Sequence, residues 1–130
     1  RKFFEKFGIS LPRLGYGCMR FPTKDGKIDF EHAKKLIHHA YDKGINYFDT
    51  AYNYHGGESE IFLGKVLAEF KRESYFLTSK LPVWKVKEEG DAEKLFNEQL
   101  KKCNTEYFDF YLLHSLNKKS IETVEKFTLY

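Results

Sequence analysis

The sequence repeats one pattern four times: a short apolar run typical of a β-strand, followed by a longer amphipathic stretch. The runs begin near Leu14, Ile45, Tyr75 and Phe108, about 30 residues apart, which is the length of a βα unit. Strands that are joined by helices of this length run parallel, because the helix returns the chain to the same end of the sheet. The spacing therefore predicts an α/β fold with a parallel sheet and helices packed outside it.

The amphipathic stretches carry signals for their own ends. The first extends from about Asp29 to Lys43, with Asp29 as its N-cap and Gly44 as the residue that ends it. The second extends from about Glu58 to Lys71. The third starts at Asp91, which we expect to be its cap. These signals predict three helices of ordinary length between the strands.

The glycine pattern decides between two parallel-sheet architectures. A doubly wound dinucleotide fold carries Gly-x-Gly-x-x-Gly after its first strand, but here Gly15 and Gly17 are followed by no third glycine. Four βα units, the last one incomplete, are half of a (β/α)8 barrel. Residues 2–11 predict a short β-hairpin before it, and residues 121–130 a last helix without a stop signal. Half a barrel leaves strand edges uncovered. We therefore expect a missing C-terminal half or another chain to complete it, and the fragment alone to be inactive.

Composition excludes several classes of partner. The 22 basic and 19 acidic residues leave a net charge of +3, and their signs alternate, so no basic surface for nucleic acid is predicted. No apolar run reaches the roughly 18 residues of a membrane span. Cys18 and Cys103 are isolated, and no cysteine or histidine spacing indicates a metal site. These features predict a reduced, soluble, cytoplasmic protein without a bound metal.

Four polar side chains follow the predicted strands at or near the points where these end. They are Asp49, Lys80 and His114, each closing one apolar run, and Tyr54 in the loop after Asp49. In a repeating βα chain, the carboxyl ends of the strands are where the fold places its chemistry. We therefore expect these four side chains to converge on one site.

Together these groups could protonate a carbonyl oxygen. A tyrosine hydroxyl is a weak acid, and a nearby ammonium such as that of Lys80 stabilises its phenolate. Asp49 can pair with Lys80 and offset the cost of burying the amine. His114 can donate a hydrogen bond to the carbonyl. Because no side chain delivers hydride, the reduction of a carbonyl implies a nicotinamide cofactor.

The motifs around these residues resemble the aldo-keto reductase family. The resemblance covers nearly the whole chain in the family's order. It implies a reductase of aldehydes or ketones on a (β/α)8 barrel that uses NADPH or NADH, with NADPH favoured. The matching segments are LGYGCMR at 14–20, GINYFDTAYNY at 44–54, SEIFLGK at 59–65, TSKL at 78–81 and YLLH at 111–114.

Carried over to this sequence, the resemblance makes Tyr54 the general acid, with Lys80 and Asp49 as its charge partners. His114 orients the carbonyl of a small-molecule substrate. The residues expected near the nicotinamide ribose are Gly17, Cys18, Met19 and Asp49, and Trp84 is expected to form a wall of the substrate pocket.

Other interpretations stay open beside this one. The chain could belong to a non-catalytic regulatory subunit that binds cofactor. Lys80 could instead form a Schiff base in a lyase, although pairing with Asp49 would keep its amine protonated. Cys18 is structural by default, and His55 is interpreted as a surface loop residue. Gly64, inside a predicted helix, indicates close packing against a neighbour.

Overall fold

The computed structural model describes all residues from Arg1 to Tyr130, and strands alternate with helices along most of the chain. The strands are β1 (Lys2–Phe4), β2 (Ile9–Leu11), β3 (Tyr16–Gly17), β4 (Thr23–Lys24), β5 (Lys27–Ile28), β6 (Tyr47–Asp49), β7 (Phe76–Leu81) and β8 (Phe110–Leu113). The helices are α1 (Phe30–Asp42), α2 (Glu58–Val66), α3 (Asp91–Lys102) and α4 (Lys118–Lys126).

The main sheet consists of four parallel strands in the order β3-β6-β7-β8, which is also their order in the sequence. Its register places Gly17 beside Asp49, Asp49 beside Thr78, and Lys80 beside Leu112. Each strand therefore adds to the edge left by the previous one, as strands do around a barrel. The predicted parallel α/β sheet is confirmed.

One face of this sheet packs against the helices and forms the core. Phe48 of β6 and Leu77 of β7 are neighbours in the register and are buried. They share one hydrophobic cluster with Ile37 of α1 and Leu63 of α2. Because side chains alternate along a strand, the residues on either side of Phe48 and Leu77 point to the opposite face.

That opposite face carries aromatic rings that pack on one another. Tyr47, Phe76 and Phe110 have ring centroids 5.7 to 6.4 Å apart, and Leu112 beside them is 47% exposed. A doubly wound sheet would cover this face with helices as well. Helices on one face and strands in sequential order are the arrangement of a barrel wall.

Helix α1 begins and ends where the sequence predicted. The carboxylate of Asp29 accepts a hydrogen bond of 3.2 Å from the backbone N–H of His32. After the helix, Gly44 adopts φ of +88°, a conformation that glycine reaches without strain.

Replacement of Asp29 by alanine is expected to lower the free energy of unfolding by about 1 kcal/mol, because an amide in the first turn of α1 loses its acceptor. Asp29→Ser retains a capping oxygen and should recover most of the loss. Urea denaturation of the three proteins measures the difference. Equal stability of the alanine and serine variants would contradict the capping role.

Two predicted helix boundaries were wrong. Helix α2 ends at Val66 and tightens into a 3-10 turn over Leu67–Glu69, so it does not reach Lys71. Asp91 does not cap α3; the N-cap is Gly90, with φ of +86°. The Asp91 carboxylate instead accepts the backbone N–H groups of Lys87 and Glu88, at 2.9 and 3.1 Å. Its oxygen serves the preceding loop and is not available to the helix.

The last helix also differs from expectation. Helix α4 starts earlier, with a capping box between Asn117 and Ser120, and ends at Lys126. Thr128 then adopts φ of +50°, so the final residues leave the helix. The sequence contained no glycine or proline to announce this end.

Two hairpins accompany the main sheet. Strands β1 and β2 pair antiparallel over residues 2–11, which confirms the predicted hairpin. Strands β4 and β5 form a second one that was not predicted. Its turn residues, Asp25 and Gly26, have φ of +53° and +77°, as the Asp-Gly pair of a tight hairpin turn requires. None of the helices has the length and apolar content that a membrane crossing requires.

Candidate active site

The structure brings Asp49, Tyr54 and Lys80 together at the carboxyl end of the sheet. The Lys80 ammonium donates hydrogen bonds to Asp49 Oδ2 at 2.9 Å, to the carbonyl oxygen of Thr50 at 2.7 Å, and to the Tyr54 hydroxyl at 3.2 Å. An ammonium has three hydrogens, and each of them has an acceptor here. The ammonium group is therefore held in a fixed position.

Strand geometry explains why these groups meet. Lys80 lies near the end of β7 and projects to the face that the helices leave uncovered, as Asp49 does at the end of β6. Their side chains are 12% and 33% exposed, respectively. Partial burial strengthens the attraction between their charges, and the hydrogen bonds offset the desolvation cost.

Tyr54 reaches the ion pair from a tight turn. After β6, the chain turns back at Ala51, whose carbonyl oxygen accepts from the Tyr54 N–H at 3.4 Å. The Lys80 ammonium also lies 4.8 Å from the centre of the Tyr54 ring. Because the hydroxyl oxygen accepts from Lys80, its own hydrogen remains available for another acceptor.

His114 completes the group. Its backbone N–H continues the pairing of β8 with β7 by donating to Leu81 O at 3.0 Å. Its ring contacts the Tyr54 ring edge to face, with centroids 5.9 Å apart. The four residues that the sequence singled out thus lie at one site.

The pKa of the His114 imidazole is lowered from its usual value. Desolvation is the main cause, the nearby Lys80 charge adds to it, and Asp49 opposes it. The ring is therefore neutral near pH 7 and has one N–H to donate. Its Nδ1 atom is buried without a partner in the chain, so no contact within the chain selects the tautomer.

A stability measurement can test whether the pKa of His114 is lowered in the folded protein. Because the folded state favours the neutral ring, the unfolded chain binds more protons just below the ordinary histidine pKa of about 6.5. Folding stability from His114 is thus present above that pH and falls as the pH decreases through this value toward the folded pKa. Denaturation of the wild type and of His114→Gln from about pH 8 to about pH 5 should show the wild type losing more stability. A difference in stability between the two proteins that stays constant with pH would contradict the lowered pKa of His114.

The predicted cofactor contacts divide into two groups. Gly17 and Met19 are exposed, and Gly17 pairs with Asp49 in the sheet. Cys18 has no exposed surface. Its N–H donates to Asp49 O at 2.8 Å, and its carbonyl oxygen accepts from Ser59 at 2.9 Å. The structural interpretation of Cys18 is the one that its contacts favour, because its side chain and backbone groups are all engaged within the chain.

Trp84 lies beside His114, with ring centroids 5.2 Å apart and 41% of its surface exposed. A cavity of about 200 Å³ adjoins both residues. A larger depression of about 1010 Å³ lies along α3 between Lys94 and Glu106 and includes none of the four site residues. Trp84 is therefore positioned to contact a molecule that approaches His114.

A buried polar network behind Lys80 was missed from the sequence. Gln99 of α3 donates to the Lys80 carbonyl oxygen at 2.9 Å and to Glu60 Oε2 at 3.0 Å, and Ser79 also donates to Glu60 at 2.8 Å. Lys102 lies 2.9 Å from Glu60 Oε1 as an ion pair without hydrogen-bond geometry. Gln99 falls among the apolar positions of α3. A polar residue at such a position was the sequence signal from which the buried network could have been predicted.

The interpretation of His55 as a surface loop residue was wrong. Its Nε2 accepts a hydrogen bond of 2.8 Å from the backbone N–H of Phe21, and the two rings stack with centroids 5.6 Å apart. Its position between Tyr54 and two glycines was the only sequence signal, and that signal does not specify a partner.

A family of known proteins matches most of the chain. Residues 13–126 match the model of the Aldo/keto reductase family. The 4-dihydromethyl-trisporate dehydrogenase of Mucor mucedo is 35% identical over 115 residues, which are 85% of this chain and 33% of that protein. The chain therefore spans about a third of the length of this curated relative.

Solved structures resemble this chain over most of its length. A thermostable aldo-keto reductase in complex with the inhibitor epalrestat has a TM-score of 0.77 and 27% identity, over 96% of this chain and 48% of that one. An aldo-keto reductase from Klebsiella pneumoniae in complex with NADPH has a TM-score of 0.73 over 92% and 42%. Its identity of 23% supports the fold alone. The chain belongs to the aldo/keto reductase family, with the α/β fold of the N-terminal half of a (β/α)8 barrel and a short β-hairpin before it.

Proposed function

We propose that the protein is an oxidoreductase that reduces aldehydes or ketones to alcohols, with Tyr54 as the general acid. The observation that carries the proposal is the set of three hydrogen bonds from the Lys80 ammonium to Tyr54, Asp49 and the Thr50 carbonyl. This arrangement places a positive charge 3.2 Å from a phenol oxygen whose own hydrogen remains available for another acceptor.

The proton transfer follows from these contacts. Tyr54 donates its hydrogen to the carbonyl oxygen while hydride adds to the carbonyl carbon, so that the product is a neutral alcohol. The phenolate that forms is stabilised by Lys80, 3.2 Å away. The Asp49 carboxylate lies 2.9 Å from the ammonium and holds it beside Tyr54.

His114 orients the substrate. As a neutral ring it can donate one hydrogen bond to the carbonyl oxygen, which fixes the oxygen near Tyr54 and polarises the double bond. The lowered pKa of His114 favours this role over that of a competing acid. Trp84 and the adjoining cavity would form one wall of the substrate site.

A nicotinamide dinucleotide, when bound, would supply the hydride. The residues of this chain that fit its ribose are Gly17 and Met19, which leave open surface, and Asp49, which lies beside Gly17. NADPH is favoured over NADH, and the similar structure from Klebsiella pneumoniae is a complex with NADPH. Contacts with the rest of the cofactor would come from other parts of the barrel.

The barrel needs further strands. Tyr47, Phe76, Phe110 and Leu112 leave a partly exposed apolar surface on the inner face of the sheet. We infer that residues 1–130 are a partial barrel domain and that the C-terminal half, from a longer polypeptide or a second chain, covers this surface. Residues 1–130 alone are expected to be inactive.

The test uses the full-length protein with NADPH deuterated at the transferable position and a panel of aldehydes and ketones. Deuterium on the carbinol carbon of the product is the expected result. Tight NADPH binding without turnover across the panel would reject the reductase and favour a regulatory subunit. Borohydride trapping of substrate on Lys80 would instead indicate a lyase, which the three donated hydrogen bonds of its ammonium disfavour.

A further inference from the structure

His55 connects the turn that carries Tyr54 to the loop that follows β3. Its Nε2 accepts a 2.8 Å hydrogen bond from the backbone N–H of Phe21. In this geometry Nε2 is the acceptor, which leaves Nδ1 as the donor atom of the ring. The side chain next to the proposed acid is therefore engaged with a distant part of the chain.

The partner of His55 is rigidly held. Phe21 is 4% exposed and belongs to the main hydrophobic cluster. Its ring packs on Phe62 of α2 with centroids 4.7 Å apart and stacks on His55 at 5.6 Å. The hydrogen bond thus attaches the turn of Tyr54 to the core of the domain.

The same loop is attached at its other end to the segment around Tyr54. Cys18 N–H donates to Asp49 O at 2.8 Å, and Ser59 donates to Cys18 O at 2.9 Å. Met19 and the residue after it lie between these attachments and Phe21. Both are exposed. The exposed part of the loop is consequently fixed on both sides by the segment that supplies Asp49 and Tyr54.

The backbone at His55 adopts a left-handed conformation that is uncommon for residues other than glycine. His55, Gly56 and Gly57 have φ of +52°, +62° and +95° in succession. Glycine adopts such conformations freely, whereas a residue with a Cβ is strained there. Two of the three positions are glycine, and the third, His55, carries a side chain that contacts Phe21.

We propose that His55 is a positioning residue that couples Tyr54 to the loop of residues 18–21. It touches neither the proposed reacting atoms nor Lys80, and acts by fixing the turn and the loop relative to each other. The inference rests on the proposed function, in which Met19 in this loop faces the nicotinamide ribose. Movement of either segment would then disturb both cofactor binding and proton transfer.

A matched pair of variants in the full-length protein separates the hydrogen bond from other effects. His55→Gln keeps an acceptor, His55→Leu removes it, and both carry a Cβ at the strained position. The readouts are NADPH affinity by fluorescence titration and the single-turnover rate of hydride transfer. His55→Leu should weaken NADPH binding about threefold to tenfold and slow hydride transfer about tenfold or more, whereas His55→Gln should recover most of both.

Three results would overturn the proposal. The first is that His55→Leu and His55→Gln lose NADPH affinity and hydride-transfer rate to the same extent. The second is that His55→Leu keeps the wild-type values of both. The third is that His55→Leu lowers only the fraction of folded protein. If His55→Leu does not fold, His55→Gly removes the acceptor and relieves the backbone strain, so the same comparison applies.

Tyr54→Phe is measured alongside. If Tyr54→Phe keeps full turnover, the proposed function fails. If only Tyr54→Phe is impaired, the role of His55 alone fails.

Discussion

Replacement of Tyr54 by phenylalanine is expected to slow carbonyl reduction by the full-length protein about 10²- to 10⁴-fold, the range of a lost general acid. NADPH affinity should stay close to that of the wild type. The physical reason is local. Phenylalanine keeps the ring that faces His114 at 5.9 Å and the Lys80 ammonium at 4.8 Å, and it removes only the hydroxyl.

A second tyrosine provides the control. Tyr52 lies two residues before Tyr54, and its hydroxyl donates to Glu98 at 3.1 Å, away from Lys80. Tyr52→Phe should leave turnover nearly unchanged. Steady-state rates at saturating NADPH measure both variants. Equal activity of Tyr54→Phe and Tyr52→Phe would remove Tyr54 from the mechanism.

Replacement of Gly64 by alanine is expected to lower the free energy of unfolding by about 1 to 2 kcal/mol. Two effects oppose each other here. Alanine favours a helix over glycine by about 1 kcal/mol. However, a Cβ at this position would lie 2.9 Å from the carbonyl carbon of Cys103 and closer still to the Lys102 carbonyl oxygen. Overpacking against fixed backbone typically costs about 1 to 3 kcal/mol, occasionally more, and we expect this cost to win.

Lys65→Ala is the matched control for Gly64→Ala. It lies in the same turn of α2, its side chain is exposed, and its effect should stay within about 0.5 kcal/mol. Chemical denaturation of both variants gives the comparison. A Gly64→Ala protein as stable as the wild type would mean that α2 and α3 can separate without a loss in the free energy of unfolding. The close packing of these helices would then have no energetic role.

Sequence reasoning located the sheet and the four site residues because both depend on periodic signals. Strand spacing fixed the βα units, and the carboxyl ends of the strands then placed Asp49, Lys80 and His114 on one edge. Gly64 was recognised as a packing position because an unexplained glycine inside a helix has few other causes. Each of these inferences uses local patterns that tertiary contacts reinforce.

Three of the misses occurred where a side chain had two possible partners. Asp91 has the residue type of a helix cap, yet its carboxylate accepts from the loop at Lys87 and Glu88. His55 accepts from a backbone amide 34 positions away, and Gln99 binds the carbonyl oxygen of Lys80 from another helix. No local pattern specifies such contacts, because they form only once the elements are packed.

The two thiols of the chain lie in its core, and this has a practical consequence. Cys18 and Cys103 are 0% and 4% exposed, and burial raises the pKa of both. Thiolate is the form that reacts with alkylating reagents, so the native chain should resist maleimide until it opens. The rate of labelling then reports how often the core becomes accessible, without any engineered probe.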